Sequence, residues 1–441
     1  MYEKDLTTRP DNHKSAWAIE RLAALASDIG CPQVRISGNT IKEEILVKDD
    51  SYYLIPAREA PAASRRPLSP HDDTSRQPQK DINIDKTYEQ MKRCIIGQDE
   101  LIESVVSGVN YGLVRSRALQ SGARARRLPR SSSMLILGPT GCGKTYVVTT
   151  LLDFLGIKHF RIDASYLTGE GWRGDNLSDH LKKVQAWQGD NPGKTCVIYV
   201  DEVDKVGRDD GLELDGSPGG RTSFNPLPQF LAYMDGGKVP LPRIENGRRS
   251  RGSTSSQEEP TLDCNLIIWI FSGSFDGITD CVRARLLAAT DLEGERAVRA
   301  LDVDDLRRRV VVDDLIAFGL HRELCGRIGR IACAHQLGMR DLKEIVSGPS
   351  PSCLVSRYSN LLPPGSTLVV TDQAVELTVG RALRLGQGAR GLENVLNQPF
   401  DRALLEVSRL GSRGEYDVVI DAVEGEMLVY TVTRRHDDDT T

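Results

Sequence analysis

The chain has 441 residues, 39% of them hydrophobic and 27% charged, with a net charge of −5. That length overfills one small core and predicts two or three domains, while so mild a charge gives no reason to expect a nucleic-acid or membrane surface. No run of about 18 apolar residues occurs, the N-terminus lacks a secretory core, and nine cysteines without a C-x-x-C pair suit neither structural zinc nor a disulfide framework, so a reducing cytoplasm is expected.

Residues 14–30 predict an amphipathic helix, with Trp17, Ile19, Leu22 and Leu25 on one side and Gly30 as its stop. Strands follow at "QVRIS", "TIKEEILV" and "YYLIP". Residues 1–60 thus form a small α+β domain, available for recruiting a substrate or partner. The stretch to residue 84, rich in Pro, Ser and charge, is expected to be a flexible linker.

From residue 85 the pattern changes. A helix near 99–116 carries Leu101, Ile102, Val105, Val109 and Leu113 at helical spacing. Apolar runs of strand length then alternate with helical stretches: "MLIL" (134–137), "HFRI" (159–162), "VIYV" (197–200) and "LIIWIF" (266–271). This predicts an α/β large domain over 85–335, a parallel sheet covered by helices. Residues 336–432 predict a smaller, mostly α domain with strands at "STLVVTD" and "DVVID". Residues 433–441 read as a frayed tail.

The run from Gly138 to Thr145 is G-x-x-x-x-G-K-[ST], directly after a strand and directly before a helix. Glycines let the backbone curl so that its N–H groups face phosphates, and the helix N-terminus adds positive potential. Lys144 is expected at the β- and γ-phosphates and Thr145 at Mg²⁺. The bland reading is a glycine turn with an incidental lysine. In "VIYVDEVDK", Asp201 and Glu202 end an apolar strand. Alone they would be a solvated loop; beside a phosphate loop, Asp201 suits the Mg²⁺ shell and Glu202 the activation of water. ATP and Mg²⁺ are the expected cofactors, with Gly138, Pro139, Thr140, Gly141, Cys142, Gly143, Lys144, Thr145 and Tyr146 around the nucleotide. Cys142, near Lys144 and a helix N-terminus, is either a reactive thiol of lowered pKa or a small residue that fits.

These motifs in this order resemble the AAA+ family, and within it the Clp-type unfoldases of the ClpX and HslU kind, over roughly residues 85–425. The resemblance implies an AAA+ P-loop NTPase large domain followed by a small C-terminal domain. It puts Ile95 and Ile96 of "CIIGQDELIESVV" beside adenine. It places a polar sensor in "LIIWIFSGSFDGI", where Ser272 and Ser274 are the candidates. "DDLIAFGLHRELCGRI" resembles the box ending in an arginine finger, Arg327, which would act in trans from the next subunit. "GQGARGLENVL" resembles the second sensor helix, with Arg390 at the γ-phosphate in cis. The family therefore implies a homo-hexamer acting on protein substrates. "GWRG" falls where such proteins carry a pore loop: Trp172 would press on a threaded polypeptide, and Arg173 stands where the family has an apolar residue. Trp172 could instead tuck against the large domain. Segments 207–223 and 245–259 lie at further pore and entrance loops.

Two features depart from ClpX. The paired C-x-x-C motifs of its N-terminal zinc domain are missing. No I-G-F or L-G-F tripeptide occurs between the sensor strand and the arginine-finger box, so coupling to the peptidase ClpP is not expected. Three alternatives stand beside the unfoldase: a nucleic-acid motor, invited by the basic stretch 115–130; a nucleotide-gated scaffold; and an unfoldase coupled to some other peptidase.

Overall fold

The computed structural model describes residues 33–38, 41–48, 51–56, 82–129, 133–167, 176–205, 227–241, 261–411, 414–423 and 427–435. The expected helix at 14–30 lies outside them, as do residues 61–81 of the expected linker and 436–441 of the expected frayed tail; residues 433 and 434 instead end a β-strand. Three strands, β1 (Gln33–Gly38), β2 (Ile41–Lys48) and β3 (Ser51–Pro56), form an antiparallel sheet in chain order, where the sequence predicts strands. They belong to a unit of their own.

In the second unit, helices α1 (Ile84–Cys94) and α2 (Asp99–Gln120) precede the sheet. All five apolar residues predicted to face inward from α2 are buried. The helix runs on through residue 120, so the first third of the basic stretch 115–130 is helical. Arg115 is buried there, donating its Nε to the Pro129 carbonyl at 3.0 Å.

The sheet comprises β4 (Ser133–Leu137), β5 (His159–Asp163), β6 (Cys196–Asp201), β9 (Ile267–Gly273) and β10 (Ile328–Cys333), all parallel, in the order β10-β4-β9-β6-β5. Every residue of β4, β6 and β9 is buried, as central parallel strands require. Successive side chains feed opposite faces. Leu135, Ile198, Val200, Trp269 and Phe271 join one core, while Met134, Ile136, Tyr199, Ile268 and Ile270 join the other. Four of the five strands stand where the sequence predicts them. The fifth, β10, is an edge strand with Gly329 and Arg330 in it and only partial burial, so it lacks the continuous apolar run that marks the rest.

Helix α3 (Lys144–Phe154) follows β4, and α4 (Leu177–Asp190) precedes β6. Helix α5 (Leu227–Met234) leads to a two-stranded ribbon, β7 (Lys238–Pro240) with β8 (Thr261–Asp263). Between β9 and β10 lie α6 (Ile278–Ala288), α7 (Leu292–Ala300), α8 (Val303–Arg308), α9 (Val312–Ala317) and α10 (Arg322–Cys325). Asp291 and Asp302 cap α7 and α8 by accepting from the backbone N–H groups of Gly294 and Asp305.

A third core runs from Leu337 to Ile420. It unites α11 (Met339–Ser347), α12 (Leu354–Ser359), α13 (Asp372–Leu385) and the long α14 (Ala389–Leu410) with β11 (Thr367–Val370), β12 (Tyr416–Val423) and β13 (Met427–Arg434). β11 pairs with β12 in parallel, and β12 with β13 as a hairpin. The sequence predicts the first two; β13, "MLVYTVTR", is an exposed hairpin partner with mixed polarity and escapes that reading.

Candidate nucleotide site

The carboxyl ends of parallel strands are where such sheets bind ligands, and the chemistry collects there. The loop after β4 turns through Gly138, Gly141 and Gly143, at φ +156°, +75° and +98°; Gly143 is the N-cap of α3. Lys144 lies back over its own loop, donating Nζ to the carbonyls of Gly138 (2.7 Å) and Pro139 (3.0 Å). The loop is held from two directions. Gln98, buried at the start of α2, donates its amide to the Cys142 carbonyl (3.1 Å) and the His335 carbonyl (2.9 Å). Ala389, the first residue of α14, donates its N–H to the Gly141 carbonyl (3.0 Å). The backbones are so close that a Cβ on Gly141 would lie 1.9 Å from the Gln387 carbonyl oxygen.

Asp201 ends β6 with both oxygens filled. Oδ2 accepts from Thr145 Oγ1 (3.0 Å) and Arg161 Nη2 (2.9 Å). Oδ1 accepts from the Ser272 hydroxyl and from the Glu202 N–H (3.1 Å). The Tyr199 hydroxyl ties the set together, 3.1 Å from that of Thr145 and 2.7 Å from that of Ser272. Burial alone would raise the carboxyl pKa of Asp201, but the bonds from Ser272 and Thr145 and the charge of Arg161 outweigh it, and the group is held below its ordinary value.

Glu202 has φ +56° and Phe275 φ +51°. These are left-handed conformations at the ends of neighbouring strands, strained for side chains of this kind. Asp204, buried, pins the second turn by accepting from the N–H groups of Ser274 (3.1 Å) and Phe275 (3.2 Å) and from the Ser274 hydroxyl (2.8 Å). The two sensor candidates are thereby told apart: Ser272 is fully buried against Asp201, while Ser274 lines the open site.

A cavity of about 290 Å³ joins these parts. Ile95, Ile96, Thr140, Gly141, Cys142, Gly143, Lys144, Thr145, Tyr146, Asp201, Glu202 and Arg390 all line it; Gly138 and Pro139, also expected around a nucleotide, do not. The sequence reading missed an apolar wall from the third core, Leu337, Ile345 and Leu354, and the ion pair of Arg357 with Glu393 at 2.7 Å. It also missed Gln98, Arg161 and Asp204. Each works through a partner far along the chain, and the spacing of local motifs carries no trace of that.

Arg327 does not line this cavity. Its guanidinium grips Asp235 through Nε (2.8 Å) and Nη2 (2.7 Å) and donates Nη1 to the Glu323 carbonyl. Of the two readings of Cys142, the structure favours the small residue that fits: it is 3% exposed, and burial pushes its thiol up by more than Lys144 lowers it. Trp172, Arg173 and the segments 207–223 and 245–259 lie outside the described residues. Among the described residues no helix is long and apolar enough to cross a membrane, and no cluster of His, Cys, Asp and Glu could by itself hold a metal ion.

Thr145 Oγ1 and Asp201 Oδ2 are oxygen donors within hydrogen-bond reach of each other beside the phosphate loop. That donor set suits Mg²⁺, which binds through one or two protein oxygens plus phosphates.

Residues 134–257 match the model of the ATPase family associated with various cellular activities (AAA). The chain is 29% identical over 310 residues to the ATP-dependent Clp protease ATP-binding subunit ClpX 3 of Methylococcus capsulatus (strain ATCC 33009 / NCIMB 11132 / Bath), covering 68% of this chain and 69% of the relative. It is 30% identical over 315 residues to the ATP-dependent Clp protease ATP-binding subunit ClpX of Azotobacter vinelandii, covering 70% and 69%.

Proposed function

The chain belongs to the ClpX family of AAA ATPases and hydrolyses ATP, and from that premise we propose that it is a protein unfoldase, working as a homo-hexameric ring that threads polypeptide without ClpP. The observation that carries the hydrolytic reading is the joint lining of one cavity by Lys144, Thr145, Asp201, Glu202 and Arg390.

Adenine would rest among Ile95, Ile96, Leu337, Ile345 and Leu354. The phosphates would lie on the N–H groups of residues 140–145 at the start of α3, and Lys144 would leave its own carbonyls for them. Thr145 and Asp201 would hold Mg²⁺, which when bound neutralises phosphate charge. Glu202 would orient water and take its proton. Arg390, at the start of α14, would sense the γ-phosphate in cis. Arg327 would supply positive charge to the transferred phosphoryl group of the next subunit, which accords with its place away from its own cavity.

Independence from ClpP draws support from the segment between β9 and β10. Where ClpX offers a docking loop, this chain builds α7, joined to its neighbours by only three residues (289–291) and two (301–302).

The deciding experiment compares ATP turnover of the wild type and Trp172→Ala with and without casein. Stimulation in the wild type that is lost in the variant supports threading by Trp172. No response to polypeptide in either counts against it, and stimulation by DNA would favour a nucleic-acid motor. Recovery of ClpP in stoichiometric amounts by pull-down would overturn the independence.

A further inference from the structure

The proposed ion-binding carboxylate has no vacant oxygen. Four donors saturate Asp201: Ser272 and the Glu202 N–H on Oδ1, Thr145 and Arg161 on Oδ2. A divalent cation can reach Asp201 only if one of them withdraws. Ser272 is fully buried and also bonded to Tyr199, and the Glu202 donor is backbone. Thr145 is the expected co-ligand. Arg161 differs from all three. It stands on β5 opposite Tyr199, two residues diagonal to Asp201 on the adjacent strand, and its side chain is 51% exposed against 9% for Asp201. A long side chain with half its surface in water can swing out at little cost.

We propose that Arg161 is a resident counter-cation of the metal site. Its guanidinium neutralises Asp201 while the site is without Mg²⁺, and it must be displaced when the ion arrives with nucleotide. Arg161 is thus a positioning residue that sets how much the ion strengthens nucleotide binding. This rests on the reading of Thr145 and Asp201 as the ion's holders.

The displacement has a signed consequence. Without the ion, Arg161 shields arriving phosphates from the negative charge of Asp201. With the ion, it competes for Oδ2. Removing it therefore weakens metal-free binding and strengthens metal-assisted binding. The test measures the affinity of the full chain for a fluorescent ADP analogue in EDTA and in excess Mg²⁺, without any turnover. Arg161→Met is expected to raise the gain conferred by Mg²⁺ by about two- to fivefold, the size of one half-exposed ion pair. Arg161→Lys, which keeps the charge but loses the planar fork, is expected to fall between. An equal or smaller gain in Arg161→Met overturns the proposal, since a guanidinium that merely props up the site would weaken the ion's effect on leaving. Asp201→Asn separates the two ideas. If it keeps the wild-type gain, the assignment of Asp201 to the ion fails, whatever Arg161 does.

Discussion

Arg327 and Asp235 meet side by side, two nitrogens on two oxygens at 2.8 and 2.7 Å, and this fixes the plane of the guanidinium at the surface of the subunit. The pairing is the fork geometry that only arginine offers. If Arg327 completes a neighbour's site, Arg327→Ala is expected to lower ATP turnover by about a thousandfold, as removal of an arginine finger does. Affinity for a fluorescent nucleotide stays in the wild-type range. Asp235→Ala is expected to lower turnover less, by about tenfold, through loss of orientation. Steady-state kinetics beside equilibrium binding check both; a matching loss of affinity would assign Arg327 to its own cavity instead.

The seam between Gly141 and Gly388 leaves no room for a methyl group. A Cβ on Gly388 would lie 2.6 Å from the Gly141 carbonyl oxygen, and both residues have positive φ, +55° and +75°. Gly141→Ala and Gly388→Ala are each expected to cost about 1–3 kcal/mol of stability through backbone strain and to weaken nucleotide binding by at least about tenfold. Thermal unfolding with and without ATP analogue checks this. Gly122, whose added Cβ would meet nothing, provides the comparison: Gly122→Ala carries only the strain of its left-handed backbone.

Asp201 makes the stability of the nucleotide-free protein depend on pH in one direction. Its folded pKa lies below the ordinary 3.8. A depressed carboxylate contributes stability that is fully present above the unfolded-state value and is lost as pH falls through the folded one. The difference in unfolding temperature between wild type and Asp201→Asn is therefore expected to stay level from about pH 5 to about pH 8 and to shrink on further acidification. Ser272→Ala removes a donor that favours the ionised form, so in that background the difference should be smaller at neutral pH and its loss complete at a higher pH.

Cys142 is expected to resist alkylation. With 3% of its surface exposed and burial raising its thiol, iodoacetamide near neutral pH should leave it unmodified by mass spectrometry and leave ATP turnover intact. Cys325 and Cys333, pushed up to about 11 and about 12, should be equally inert.

Legibility followed range. The loop at 138–145 could be read because glycines, lysine and threonine carry their roles within one turn, and strand and helix flank them. The central strands could be read because burial on both faces demands unbroken apolar runs. β10 could not, since an edge strand tolerates Arg330 in its midst. Nor could the partners of the site. Gln98 reaches His335, Arg161 reaches Asp201, and Arg327 reaches Asp235, each across a distance in sequence that no periodicity records. The resemblance to Clp-type unfoldases pointed to Arg390, Ile95 and Ile96, all of which line the cavity. It did not supply Arg161, which belongs to the details of this chain.

The contact between Gly141 and α14 is made of peptide groups alone: a carbonyl, an N–H and two bare Cα atoms. No side chain takes part in it, and a methyl group added at either glycine would break it. The hydrogen bond from the Ala389 N–H to the Gly141 carbonyl therefore depends on two glycines and on no particular side chain, so sequence drift around this joint leaves the bond available as long as Gly141 and Gly388 stay.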